Sequence, residues 1–282
     1  MVERTQSEKA EAQMGTKGRT KFVVAGSHPL LQLLRDRLIH TGYALVPWSE
    51  TPDFCLFGAQ LLPDQDVALE LSALAQQVQG ICGANIPVIL LSAGQACGDE
   101  SMLQALVTPG VLGAGRKMYT YLAEHLFLRG TSTLVLRFYN YYGPNINWGV
   151  IHEFVMAARR QEPLRIHGSG YQTRSFLHED DLLQCFDLVM KHYHGLERIG
   201  VRAKPQGVYN VGHDVGHSIK RTADSVIQLM KKHKHTLTTV RAKADDQRYH
   251  VQNKVPDIAR TKSVFGWEPK ISLRAGLWRL LE

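Results

Sequence analysis

The chain has 282 residues, 44% of them hydrophobic and 21% charged, with a formal net charge of +7. This is the composition of a globular protein, long enough for one large core or two packed domains. No apolar run approaches the roughly 18 residues needed to cross a bilayer, so no membrane partner is expected.

In chain order, the polar opening "MVERTQSEKAEAQMGTKGRT" (1–20) lacks an apolar leader core and reads as a disordered lead-in. "KFVVAGSHPLLQLLRDRL" then reads as a strand at 22–25, a tight turn at Gly26 and a helix near 29–41. "YALVPW" is a short strand and "DFCLFGA" (53–59) a buried one. A helix is predicted at 64–79, a strand in "IPVILLSAG" (86–94), a helix at 115–129 and a strand in "STLVLRFYN" (132–140). Strands alternating with helices predict an α/β fold, a Rossmann-like doubly wound parallel sheet. Beyond about residue 150 the pattern changes. "GVIHEFVMAARRQE" is helical, and residues 164–193 run strand, glycine turn, strand, helix. "GVYNVG" (207–212) is a short strand, a helix spans Ser218 to about Lys232, and two short helices flank "GWEP". The expectation is a Rossmann-like domain at 21–150 and a smaller C-terminal α/β lobe at 151–282, interleaved, with the lobe over the carboxyl edge of the sheet where such folds bind ligands.

Cys55, Cys82, Cys97 and Cys185 are scattered with no CxxC pair, which predicts reduced thiols in the cytoplasm and no zinc site. The 13 histidines form no HExxH pattern, so no metal is expected. "KKHKH" (231–235) has no interleaved aromatic residues and reads as a solvated helix end rather than a nucleic-acid site. The surplus positive charge suits an anionic small molecule such as a nucleotide.

Three segments carry a resemblance: "LRFYNYYGP" (136–144), "EPLRIHGSGYQTRSFLHEDDL" (162–182), and "GVYNVG" followed by "FGWEPKISLRAGL". In this order and spacing the chain resembles the extended short-chain dehydrogenase/reductase superfamily, in its branch of nucleotide-sugar epimerases, dehydratases and decarboxylases. The resemblance covers about residues 20–282 and is strongest from Leu134 onward. It implies that Asn140 helps hold a nucleotide-sugar diphosphate. It also implies that the segment Gly168, Gly170, Gln172, Arg174 and Phe176 brings Arg174 to the nucleotide or its pyrophosphate. A guanidinium pairs bidentately with phosphate oxygens, which is the chemistry such a site needs. A second basic residue is expected from the last third, with Arg241, Arg248 and Lys254 as candidates. The bland alternatives are a surface ion pair for Arg174 and a turn cap for Asn140.

The first half departs from the pattern that the resemblance implies. The cofactor loop of the family is GxxGxxG, whereas here Gly26 and Ser27 are followed by Pro29 and Gln32 at the later glycine positions. Pro29 lacks an N–H, and Ser27 is placed to cap the helix. Glu50 is the candidate acid for an adenosine ribose. A strand and helix that the family carries between "YALVPW" and "PDFCLFGAQ" are missing. The family uses a Tyr four residues before a Lys, helped by a Ser or Thr, with the Tyr as general acid/base and its pKa lowered by the Lys. In one register Gly113 and Lys117 occupy these two positions; in another, Arg116 and Thr120 do. The Ser/Thr position holds Ala93, next to Ser92, and Tyr119 or Tyr121 is a substitute for the Tyr.

Loss of loop, Tyr and Ser together predicts a catalytically degenerate relative with no cofactor or NAD(P) held weakly. Such a protein binds a nucleotide sugar and acts as a homodimer, or as the non-catalytic partner of an active relative, through helices 64–79 and 115–129. Two alternatives stay open. One is an active NAD(P)-dependent epimerase, dehydratase or decarboxylase working through Lys117, Tyr119 or Tyr121, and Ser92. The other is a purely structural interaction module.

Overall fold

A computed structural model describes residues 19–60, 66–94, 112–198, 206–231, 238–242 and 253–282. The lead-in up to residue 18, Cys97, Arg248 and the basic run after Lys231 lie outside them. The chain divides into two units. One comprises Met1–Ser92, Gly115–Val135 and Pro205–Gly207; the other comprises Ala93–Ala114, Leu136–Lys204 and Val208–Glu282.

The early elements are β1 (Lys21–Ser27), α1 (Leu31–His40), β2 (Ala44–Leu45), β3 (Phe54–Ala59), α2 (Val67–Gly83), β4 (Val88–Ala93), α3 (Leu112–Gly130) and β5 (Thr133–Phe138). With β10 (Gly207–Val211) the strands form a six-stranded parallel sheet in the order β10-β5-β4-β3-β1-β2. Every residue of β3 and β4 is buried, as their unbroken apolar runs require of strands covered on both faces.

In the first unit, Phe22 stacks on Phe54 at 5.7 Å, and Phe57 meets Phe127 of α3 at 4.7 Å. The apolar positions of α1 bury Leu34 and Leu38. Strand β2 is shorter than "YALVPW" because Pro47 has no N–H to donate and Glu50 closes a turn onto its carbonyl at 3.0 Å. It is the edge strand, and the chain passes to β3 with no helix between, as the missing strand and helix imply. Helix α2 starts at Val67 because Asp66 accepts the Leu69 N–H at 2.8 Å. It runs on past residue 79 to Gly83.

The second unit contains β6 (Tyr141–Tyr142), α4 (Gly149–Arg159), β7 (Leu164–His167), β8 (Thr173–Ser175), β9 (Leu177–His178) and α5 (Glu179–Arg198). It continues with β11 (Gly216–Ser218), α6 (Ile219–Lys231), β12 (Thr239–Ala242), β13 (Asn253–Lys254), α7 (Ala259–Phe265) and α8 (Leu273–Leu281). Helices α4, α6 and α8 pack around Phe154, Ile166, Phe176, Val226 and Leu277. The "GWEP" turn is held from within. Trp267 donates its indole N–H to the Asp181 carbonyl at 3.1 Å, and the Asp181 carboxylate accepts the Lys270 and Ile271 N–H groups at 3.0 and 2.8 Å. Among the described residues no helix is long and apolar enough to cross a membrane.

Candidate functional site

Strand β8 is the centre of the second unit's three-stranded sheet, in the order β11-β8-β13. Arg174 stands opposite His217 on antiparallel β11 and opposite Lys254 on parallel β13. Residues opposite one another in a sheet share a face, so three basic side chains form one row. The half-buried Arg174 donates to the Thr173 carbonyl at 2.8 Å. Burial lowers its guanidinium pKa, and burial lowers that of His217 too, reinforced by His213 and Arg221. Lys254 lies 5.9 Å over the Tyr139 ring. That ring fills the space beside Gly94, where a Cβ would come within 2.7 Å of it. Two cations side by side, Arg174 and Lys254, attract a polyanion; with its pKa lowered, His217 is present as the neutral imidazole. Of the three basic candidates, Lys254 is the one set beside Arg174. Arg241 stands on β12 opposite Ile166 of β7, and Arg248 lies outside the described residues.

Two neighbours predicted to touch ligand have other partners. Gln172 donates its amide to the His167 carbonyl at 2.9 Å, closing the turn through Gly168 and Gly170. Asn140 donates to the Ser175 carbonyl at 3.1 Å, and its own carbonyl accepts the Leu177 N–H at 2.9 Å. Asn140 therefore braces the strand that carries Arg174 rather than capping the turn after it.

A cavity of about 360 Å³ opens between α4 and β7, lined by His152, Glu153, Arg160, Glu162, Arg165 and His167 among others. Sequence reasoning passed these residues over. The alternation of β7, with Leu164 and Ile166 buried and Arg165 and His167 exposed, is the pattern that marks them. Among the described residues no cluster of three metal-ligating side chains occurs.

The loop after β1 in the first unit is where a dinucleotide fold receives a pyrophosphate. Gly26 has φ +69°, and a Cβ there would run into the carbonyl of Gly58 on β3. Its glycine character thus serves contact between β1 and β3. Ser27 does not cap α1: its hydroxyl donates to the Gln60 carbonyl at 3.1 Å. His28 serves instead. Its Nδ1 accepts the Leu30 N–H at 3.1 Å, and its carbonyl accepts the Leu31 N–H at 2.9 Å. Pro29 has no N–H to offer. The residues present do not fit a dinucleotide pyrophosphate, because the donors of the cradle are absent or already engaged. Glu50 does not stand free for a ribose either, since it pairs with Lys21 at 3.0 Å.

The hydroxyl-bearing candidates are similarly engaged. Ser92 is fully buried and donates to the buried carboxylate of Glu124 on α3. Tyr119 is 1% exposed, and burial together with Glu70 pushes its hydroxyl up to about 12. A tyrosine base needs the opposite shift. Tyr121 is exposed and stacks on His125 at 6.1 Å. Gly113 and Lys117 lie one turn apart on α3, and the Lys117 side chain lies outside the described residues.

Comparison with known proteins agrees with this fold. Residues 116–212 match the family model "NAD dependent epimerase/dehydratase family". UDP-glucuronic acid decarboxylase 6 of Arabidopsis thaliana is 31% identical over 163 residues, covering 57% of this chain and 42% of that protein. UDP-glucuronic acid decarboxylase 1 of Xenopus tropicalis is 29% identical over 186 residues, covering 65% and 37%. The matches span less than half the length of these curated relatives. Among solved structures, UDP-glucose 4-epimerase of Thermotoga maritima with UDP-glucose superposes with a TM-score of 0.64 at 18% identity, covering 93% of this chain and 97% of that one. The Bordetella bronchiseptica enzyme WbmG, in complex with NAD and UDP, gives 0.68 at 17%, covering 92% of both. The resemblance to the extended short-chain dehydrogenase/reductase superfamily, in its nucleotide-sugar branch, is borne out.

Proposed function

We propose that this protein binds a nucleotide sugar of the UDP-sugar class through its second unit and performs no hydride chemistry. The observation that carries the reading is the register-matched row His217, Arg174 and Lys254, in which two cations, Arg174 and Lys254, stand side by side with a neutral imidazole beyond them, a strip suited to a diphosphate. The cavity beside Arg165 and His167 is the candidate receptor for the remainder of the nucleotide. Against hydride chemistry stand the filled loop at His28, the hydroxyl of Ser92 committed to Glu124, and the raised pKa of Tyr119. The protein then acts by binding, in the cytoplasm, as a homodimer or as the non-catalytic partner of an active relative. The exposed Leu69 of α2 and Tyr121 and Leu128 of α3 are the candidate contact. One observation favours a second reading, that of an active NAD(P)-dependent enzyme with a rearranged site: its similarity to proteins named as UDP-glucuronic acid decarboxylases.

Calorimetric titration with UDP-glucose, UDP-glucuronic acid, NAD(H) and NADP(H) separates the two. Heat from a UDP-sugar and none from the dinucleotides supports binding without hydride transfer. Saturable NAD(P) binding with turnover of UDP-glucuronic acid supports the enzyme. No binding of any of them leaves the structural module.

A further inference from the structure

If the first unit holds no dinucleotide, it must stay intact without one. A loop shaped to meet a diphosphate has backbone N–H groups that need acceptors once the ligand is gone. They find acceptors within the chain. His28 is 5% exposed. It accepts the Leu30 N–H on Nδ1 at 3.1 Å and the Leu31 N–H on its carbonyl at 2.9 Å. With Nδ1 as acceptor, the neutral ring carries its proton on Nε2. On β4, Ser92 donates its hydroxyl to the buried Glu124 of α3, so the end of β4 and α3 are joined by side chains. In a dinucleotide fold, the ligand lies against the carboxyl ends of these strands.

We propose that His28 is a built-in substitute for the dinucleotide's pyrophosphate, a neutral imidazole whose Nδ1 and carbonyl accept the Leu30 and Leu31 N–H groups at the start of α1. This rests on the reading that no dinucleotide is held. The same geometry defines a latent site. Truncating His28 leaves a buried space of imidazole shape, with the Leu30 N–H facing it, which takes a small neutral heteroaromatic ligand.

The test compares thermal unfolding of the full chain as wild type, His28→Ala and His28→Asn, each alone, with free imidazole at tens of millimolar, and with NAD(H). The expected result is a Tm for His28→Ala lower by roughly 5 °C or more, raised by imidazole, with the wild type unmoved. His28→Asn keeps an acceptor for the Leu30 N–H and unfolds between the two. Should His28→Ala not fold, His28→Asn decides: a Tm below wild type supports the role of His28, and a Tm equal to wild type overturns it. A His28→Ala protein as stable as wild type, or one that imidazole does not raise, overturns the role of His28. A rise of the wild-type Tm with NAD(H) overturns the dinucleotide-free reading instead, so the two failures are distinct.

Discussion

Arg174 and Lys254 stand opposite one another on β8 and β13, from segments 80 residues apart in sequence. A diphosphate held between them makes charge-assisted hydrogen bonds, each contributing roughly 1.5–3 kcal/mol. Arg174→Ala should therefore weaken UDP-sugar binding about 10- to 100-fold by calorimetry. Arg174→Lys should recover only part of this, because a point charge replaces a planar fork. Unchanged affinity in Arg174→Ala would remove the row from the site.

His28 sets an acid limit on stability. Its ordinary pKa is 6.5, and burial pushes it down to about 3 in the folded chain, against an opposing contribution from the Ser92 backbone. Protonation therefore favours the unfolded state. The stability is fully present above pH 6.5 and is lost as pH falls from there towards 3. By pH 4.5 the loss is on the order of 2–3 kcal/mol. Urea unfolding at pH 7.5 and 4.5 should show this drop, and it should be smaller in His28→Asn. Parallel pH profiles for the two proteins would contradict it.

Gly26 and Gly42 both have positive φ, +69° and +100°. Only Gly26 is also crowded, because a Cβ there meets the Gly58 carbonyl and the Phe57 ring, whereas nothing lies within 4 Å of one on Gly42. Gly26→Ala should cost more than Gly42→Ala in urea unfolding, by at least about 1 kcal/mol beyond the strain the two share.

The "GWEP" turn depends on Asp181, whose carboxylate accepts two backbone N–H groups. Asp181→Ala strands both donors, at roughly 1–3 kcal/mol each if water does not reach them. Trp267 fluorescence and Tm should report a loosened second unit, while Asp180→Ala, whose carboxylate is largely exposed, should change Tm little.

Most strands were readable because buried parallel strands are unbroken apolar runs between turn residues, as in Phe54–Ala59 and Val88–Ala93. The role of the Gly168 to Phe176 segment came from the family resemblance rather than from local pattern, and within it Gln172 closes the turn onto the His167 carbonyl. What stayed hidden was pairing at a distance. No local pattern ties Lys254 to Arg174 or Ser92 to Glu124. Nor does one show that His28, and not Ser27, satisfies the start of α1. On α3, Tyr119 faces the interior and Tyr121 faces solvent, two positions apart on a helix.

The most direct measurement is a pair of calorimetric titrations of the wild-type chain, one with UDP-glucuronic acid and one with NAD. Nucleotide-sugar binding through the second unit without a dinucleotide predicts a saturable heat with UDP-glucuronic acid that Arg174→Ala weakens, and none with NAD. Saturable NAD binding, or UDP-glucuronic acid affinity untouched in Arg174→Ala, would contradict it.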